Sequence, residues 1–159
     1  MQFDIRSYDP ASFEELLSLY RSAGWVHYTQ NPAMLRKAYA NSLCALAAYR
    51  EGALAGAVRA VGDGASILYI QDLLVRPDCR RQGIGGALLR AMLARYPQVY
   101  QKVLLTDDRE DTVKFYQSLG FERAARFGCT AFLYSGRGCS ASRVPARSAV
   151  SRSATRPIF

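Results

Sequence analysis

The hydrophobic pattern changes period several times along the chain, and each change marks an element. Residues 2–8, QFDIRSY, alternate and read as a first strand. Asp9-Pro10 reads as a helix start, with proline where its missing N–H costs nothing; Ser12-x-x-Glu15 offers a capping box instead. Phe13, Leu16, Leu17 and Tyr20 fall at helical spacing, and Ala23-Gly24 ends that helix. The polar-aromatic stretch from Trp25 to Gln30 reads as a loop. Asn31-Pro32 then caps a helix over 32–42, with Met34, Leu35, Ala38 and Tyr39 available for burial. Strands over 43–50 and 53–61 meet at Glu51-Gly52, a tight-turn pair. After the Gly62-Asp63-Gly64 turn, residues 65–75 are apolar at both parities, which predicts a strand covered on both faces. Ile84, Leu88, Ala91 and Met92 predict a helix over 83–96 that stops at Pro97. A strand over 99–105 and a helix over 111–119 follow, the latter with Thr112, Phe115, Tyr116 and Leu119 on one stripe and Gly120 as its C-cap. Residues 121–127 and 129–134 read as a closing antiparallel pair.

A strand, a crossover helix and a strand in mid-chain imply one parallel pair inside an otherwise antiparallel sheet. The fold class is therefore α/β: a single domain over 1–134, with a mixed, mostly antiparallel sheet, a central parallel pair and flanking helices. The tail over 135–159 is rich in Ser, Arg, Ala and Gly and lacks periodicity, so it reads as a flexible basic or non-native extension. It holds five arginines and no acid, leaving +3 of the total +8 for residues 1–134. The basic balance thus says little about the main domain. No run of about 18 apolar residues occurs, so no membrane span is expected. The start, MQFDIRSYDP, has an early acid and no apolar signal region, so the expected location is cytoplasmic. The cysteines, Cys44, Cys79, Cys129 and Cys139, form no CxxC pair, and His27 is the one histidine. No metal site is expected from these spacings; the cysteines read as reduced, with Cys44 and Cys129 buried in strands.

The chemistry concentrates in residues 75–89, VRPDCRRQGIGGALL. A strand runs into a glycine-rich turn, and the turn runs into an amphipathic helix. The first N–H groups of a helix lack internal partners, and the helix dipole places positive charge there. Gly83, Gly85 and Gly86 lack Cβ atoms, so a pyrophosphate can approach the main chain. Arg80 and Arg81 add charge at the rim. A GxxxxGK[ST] phosphate loop is missing, and the dinucleotide pattern fails because Leu88 stands at its sixth position.

The order strand, V-x-P-x-x-R-x-Q-G-x-G, helix resembles the acetyl-CoA signature of the GNAT N-acetyltransferase superfamily, Q/R-x-x-G-x-G/A, with Arg80, Gly83 and Gly85 in place. Residues 115–121, FYQSLGF, resemble that superfamily's FYxxLGF segment, and the element order agrees over about 1–134. The resemblance implies acetyl-CoA as cosubstrate and a small-molecule amine as acceptor. It implies that main-chain groups of Leu73, Leu74 and Val75 hold the pantetheine arm. The amides of Arg81, Gln82, Gly83, Ile84, Gly85 and Gly86 would hold the pyrophosphate, aided by the side chains of Arg80 and Arg81. The strands over 65–75 and 99–106 should splay to admit the thioester. One position departs: where many relatives carry a cofactor-contacting Asn seven residues before the tyrosine, this chain has Arg109.

Attack of an amine on a thioester needs a neutral amine and a proton for the leaving thiolate. The resemblance makes Tyr116 the candidate acid; otherwise it is a packed tyrosine on a short helix. Asp72 is the candidate base, and equally a structural carboxylate. Asp107 and Asp108 end a strand on the cofactor side and equally cap a turn. Trp25, His27 and Tyr28 are candidate acceptor-binding residues, with Trp25 equally a plug at the core edge. A non-catalytic acyl-CoA sensor is the alternative function. Nucleic-acid binding lacks any signature, and no membrane association is expected. The resemblance leaves a homodimer open.

Overall fold

In a computed structural model the structure describes residues 2–134. The tail over 135–159, with Cys139 and the expectation placed on that segment, lies outside the described residues. Residues up to Asp108 cluster as one compact unit, and those from Arg109 as a second.

The first unit is built on five strands in chain order: β1 (Asp4–Ser7), β2 (Cys44–Arg50), β3 (Ala53–Gly62), β4 (Ile67–Val75) and β5 (Gln101–Leu104). Three pairings are antiparallel, and β4 pairs with β5 in parallel. The expected mixed sheet with one parallel pair is what forms. Helices α1 (Phe13–Ser22), α2 (Val26–Thr29) and α3 (Pro32–Ala40) lie between β1 and β2, and α4 (Ile84–Arg95) makes the β4–β5 crossover.

Local chemistry fixes the boundaries. Asp9 caps a 3-10 turn, Pro10–Ser12, by accepting the Ala11 N–H, whereas Ser12 makes no side-chain cap bond to α1. The capping box does not form, because Glu15 accepts the Leu54 N–H instead. Asn31 accepts the Met34 N–H and starts α3. Glu51 and Gly52 both take left-handed φ, 52° and 81°, as a tight β2–β3 turn requires. The stretch expected as a loop after α1 instead winds into the one-turn α2.

Phe13, Leu16, Leu17, Leu19 and Tyr20 of α1 pack with Leu35 and Tyr39 of α3 against Ala47, Leu54, Ala57 and Leu74 of the sheet. Helix α4 packs close to β3 at Gly56, where a Cβ would sit 2.8 Å from the Leu74 carbonyl oxygen and 3.2 Å from both Ile84 and Leu88. Only glycine lets the backbone approach at that point.

The expectation that β4 is covered on both faces is corrected. Leu68, Ile70, Asp72 and Leu74 are buried, while Ile67, Tyr69, Gln71, Leu73 and Val75 are only half-buried. A β-bulge at Gln71 sends Leu68 and Ile70 to one face and Asp72 and Leu74 to the other, so each face of β4 is covered over only part of its length.

The second unit holds α5 (Glu110–Gln117) and a 3-10 turn, Ala124–Phe127. The closing strand pair expected over 121–134 is absent among the described residues. Ala124 and Ala125 favour a helical turn, an Arg126–Glu122 ion pair at 2.7 Å braces it, and Gly128 closes it with φ 70°. Cys129, expected in a strand, is therefore exposed; Cys44 is buried in β2 as expected, and Cys79 is buried as well. No helix among the described residues is long and apolar enough to cross a membrane.

Candidate active site

The site begins where the parallel ladder ends. Strand β5 pairs with Ile67, Leu68, Tyr69 and Ile70 of β4 and goes no further. From Gln71 to Val75 the edge of β4 facing away from β3 has no strand partner among the described residues. Its main-chain groups are open to an extended ligand, as a sheet edge is to an added strand. Leu73, Leu74 and Val75 lie on this stretch.

Beyond Val75 the chain turns through Pro77–Cys79, where the buried Cys79 donates its N–H to the Arg76 carbonyl at 2.9 Å. Arg81 and Gly83 then take left-handed φ, 58° and 84°. Gly83 is the N-cap of α4, gives no side-chain cap, and has nothing within 4 Å of where a Cβ would lie. The first internal α4 bond to Gly83 comes from Ala87 N–H, at 2.9 Å. The amides of Ile84, Gly85 and Gly86 precede that bond and have no internal partner. No acid occupies the first turn of α4. An uncapped, acid-free helix start behind an open glycine fits a bulky anion, so these residues suit the pyrophosphate of acetyl-CoA.

The side chains around this turn are more engaged than the sequence suggested. Arg80 donates from Nε to the Val75 carbonyl at 3.3 Å, which draws its guanidinium toward the strand end. Gln82 accepts from Arg50 at 3.0 Å and donates to the Asp78 carbonyl at 3.1 Å, stapling the turn to the end of β2. Arg81 is exposed. Arg90 folds back over the helix start, its Nη1 lying 3.2 Å from where a Gly86 Cβ would be. The turn thus presents main-chain donors chiefly, with arginines around them.

On the buried face of β4 sits a network that the sequence did not announce. Asp72 is 1 % exposed and pairs with Arg59 of β3, Nε to Oδ2, at 2.7 Å. The same Oδ2 accepts the Tyr20 hydroxyl at 2.9 Å, and Tyr20 Oη lies 3.2 Å from Tyr39 Oη. Oδ1 accepts the Tyr28 hydroxyl at 3.3 Å. Gln71 Nε2 approaches Tyr28 Oη at 3.5 Å. Consecutive residues of a strand normally face opposite ways. Here Gln71 and Asp72 both reach Tyr28, because β3 pairs Arg59 with Asp72 but Ala60 with Ile70, leaving Gln71 as the extra residue of a bulge.

Burial works against the Arg59 charge, but the Asp72 carboxylate more than offsets it, so the guanidinium pKa is raised. Burial first, then neighbouring charge, raises Tyr20 and Tyr28 above the usual phenol range. Both stay protonated as donors. Both oxygens of the Asp72 carboxylate are already taken up by a guanidinium and two phenols, so the geometry favours Asp72 as an anchor over Asp72 as the base.

Trp25 and Tyr28 stack at 5.6 Å between ring centroids, with Tyr20 edge-on to Trp25 at 5.5 Å. Both Trp25 and Tyr28 pack on the core and remain partly exposed, while His27 is exposed on α2. The structure therefore joins Trp25, Tyr28, Gln71 and Asp72 in one cluster, and His27 is not among the contacts that form it. Tyr116 lies half-buried on α5, its ring 5.1 Å from Phe115 and 6.1 Å from Phe121. Arg109 caps α5 through its carbonyl and pairs with Asp111 at 2.8 Å.

A family profile described as Acetyltransferase (GNAT) family matches residues 11–121. No curated protein matches the chain. Among solved structures, an acetyltransferase of the GNAT family from Streptococcus pneumoniae TIGR4 is 35% identical, with a TM-score of 0.77, over 86% of this chain and 99% of that one. An aminoglycoside acetyltransferase from an uncultured soil metagenomic sample, in complex with sisomicin, is 20% identical at a TM-score of 0.65, over 84% and 95%. An acetyltransferase from Trypanosoma brucei is 19% identical at 0.61, over 85% and 99%. At such identities the last two speak for the fold alone.

Proposed function

The chain belongs to the GNAT acetyltransferase family, and we propose that it transfers an acetyl group from acetyl-CoA to the primary amine of a small molecule by direct attack in a ternary complex. The observation that carries this is the junction of an unpartnered strand edge, 71–75, with the uncapped start of α4. One offers main-chain groups to an extended arm, and the other offers donors to linked phosphates. When bound, acetyl-CoA supplies the activated acyl group.

This chain's residues then have three tasks. The first is to bind: amides from Arg81 to Gly86 hold the phosphates, and Leu73, Leu74 and Val75 align the arm. The second is to present the amine. An alkyl amine with a pKa near 10 loses about 4 kcal/mol on becoming neutral at pH 7. A partly apolar surface at Trp25 and Tyr28 lowers that cost by disfavouring the charged form. The third is to give the departing sulfur a proton, and Tyr116 is our candidate donor. Asp72 holds Tyr28 in place from behind.

Calorimetry with coenzyme A and thiol release from acetyl-CoA with a panel of amines test the reading. Binding in the micromolar range with amine-dependent release is expected. Binding without release across the panel would turn the assignment toward a sensor, and no binding would end it.

A further inference from the structure

The wall at Trp25 and Tyr28 carries more information than its location. Resting on the acetyltransferase reading above, we infer that the acceptor is a small monoamine bearing an aromatic or flat apolar group, and not a polycationic amino sugar.

Charge makes the first half of the case. No Asp or Glu occurs between Glu15 and Glu51, the stretch that supplies α2, α3 and the wall. That stretch carries Arg21, Arg36, Lys37 and Arg50 instead. The carboxylate directly behind the wall, Asp72, is neutralised by Arg59 at 2.7 Å and capped by two phenols. Glu15 is spent on the Leu54 amide and Asp63 on its own turn. Asp107 and Asp108, beyond β5, add at most two charges. A ligand with several ammonium groups needs several carboxylates facing it, and a stretch that carries only cations offers it none. One ammonium makes no such demand.

Shape makes the second half. Trp25 and Tyr28 are tilted only 32° from each other and are held from behind by Tyr20, 5.5 Å from Trp25 and 5.1 Å from Tyr28. The Tyr28 hydroxyl is pinned by Asp72 and approached by Gln71, so its ring is locked. A rigid, half-open aromatic surface favours a flat apolar partner through offset or edge contacts. It stands beside the bulge at Gln71, where β4 leaves β5 and the strand edge becomes open. An aryl group on this wall directs an amine, two carbons away, toward that opening.

Trp25 is the one tryptophan in the chain, so its emission reports contact with the wall directly. The full-length protein, with coenzyme A binding first established by calorimetry, is titrated with 2-phenylethylamine, n-butylamine and sisomicin. The expected result is a saturable change in Trp25 emission with 2-phenylethylamine alone. In thiol release, its kcat/KM should exceed those of the other two by roughly tenfold or more. Trp25→Phe should narrow the gap to n-butylamine with coenzyme A affinity unchanged. Preference for sisomicin, equal use of all three, or turnover of 2-phenylethylamine with no change in Trp25 emission would each overturn the inference and leave the acetyltransferase reading standing. Coenzyme A binding with no turnover of any of the three overturns it too. Failure to bind coenzyme A would remove the parent reading itself.

Discussion

Replacing Asp72 with Asn tests the network at its centre. The substitution keeps the volume and leaves an oxygen that can still accept a tyrosine hydroxyl. It removes the charge that balances Arg59. That guanidinium is 6% exposed at the side chain and has Asp72 at 2.7 Å as its ion-pair partner, with Ser42 Oγ a distant 3.4 Å away. Breaking one side of a buried pair typically costs about 3–5 kcal/mol, because the stranded charge has lost its water and gained nothing. Against a total stability of about 5–15 kcal/mol, that is about a fifth or more. At about 2–4 °C per kcal/mol for a chain of this size, Tm should fall by about 6–20 °C. Removing both charges, as Arg59→Met with Asp72→Leu, should cost much less than the two single changes together, because no charge is left unpaired. Thermal and urea unfolding of the two singles and the double measure this. A Tm loss under about 2 °C for Asp72→Asn, or additive losses in the double, would refute the reasoning. The same variant separates the two roles of the residue. As an anchor, its loss raises the acceptor KM and leaves the shape of the pH profile alone. If Asp72 were the base, the acid limb of kcat/KM would disappear.

Gly83→Val forces a β-branched residue into φ 84° at the open mouth of the turn, so coenzyme A affinity should drop by more than tenfold; the calorimetric Kd checks it. Gly56→Val drives a side chain into the Leu74 carbonyl and into α4, and should destabilise the fold by about 1–3 kcal/mol in urea unfolding. Tyr116→Phe should lower kcat with little change in coenzyme A affinity; an unchanged kcat across pH would remove Tyr116 from the mechanism. Burial raises the Tyr8 pKa to about 12 and carries Tyr20 and Tyr39 well above 10. Folded pKa values above the unfolded ones mean this contribution is intact below pH 10 and lost as pH rises through about 12. Ultraviolet titration should therefore show part of the tyrosine ionisation coinciding with alkaline unfolding, and full ionisation of a still-folded chain would contradict it.

What the sequence disclosed was what local rules govern. Asn31-Pro32, Glu51-Gly52 and the periodicity of Phe13, Leu16, Leu17 and Tyr20 each act within a few residues, and each element appeared where those signals put it. The glycine turn that opens α4 was legible for the same reason. Signals failed where the outcome depends on distant partners. Alternation over 121–134 suggested strands, but a strand needs a neighbour, and Ala124-Ala125 with the Glu122–Arg126 pair settled for a local turn. The apolar run over 65–75 concealed which parity is covered, since both parities carry large apolar residues. The Asp72 network was hidden most thoroughly. Its members, Tyr20, Tyr28, Arg59 and Asp72, come from four elements, and only the pairing of β3 with β4 brings them together. The one available hint was Arg59 itself, a lone charge inside the apolar strand ALAGAVRAVG. Such a residue needs a buried partner, and Asp72 is the lone acid of the strand that follows.

Under the proposed function, the bulge at Gln71 lets a single strand serve both substrates. Upstream, from Ile67 to Ile70, β4 is tied on both edges and its position is fixed by β3 and β5. Downstream, one edge is open. A regular strand crossing that boundary would send Gln71 and Asp72 to opposite faces, and Tyr28 would have one partner. The extra residue turns both toward it, so the acceptor-side tyrosine is held where the open edge starts. Deleting the bulge would shift every later side chain of β4 to the other face. Leu73 and Val75 would then enter the core, and Leu74, now 3% exposed, would be driven out of it. The register that places the acceptor wall is therefore the same register that keeps the core closed, which ties the geometry of the site to the stability of the fold.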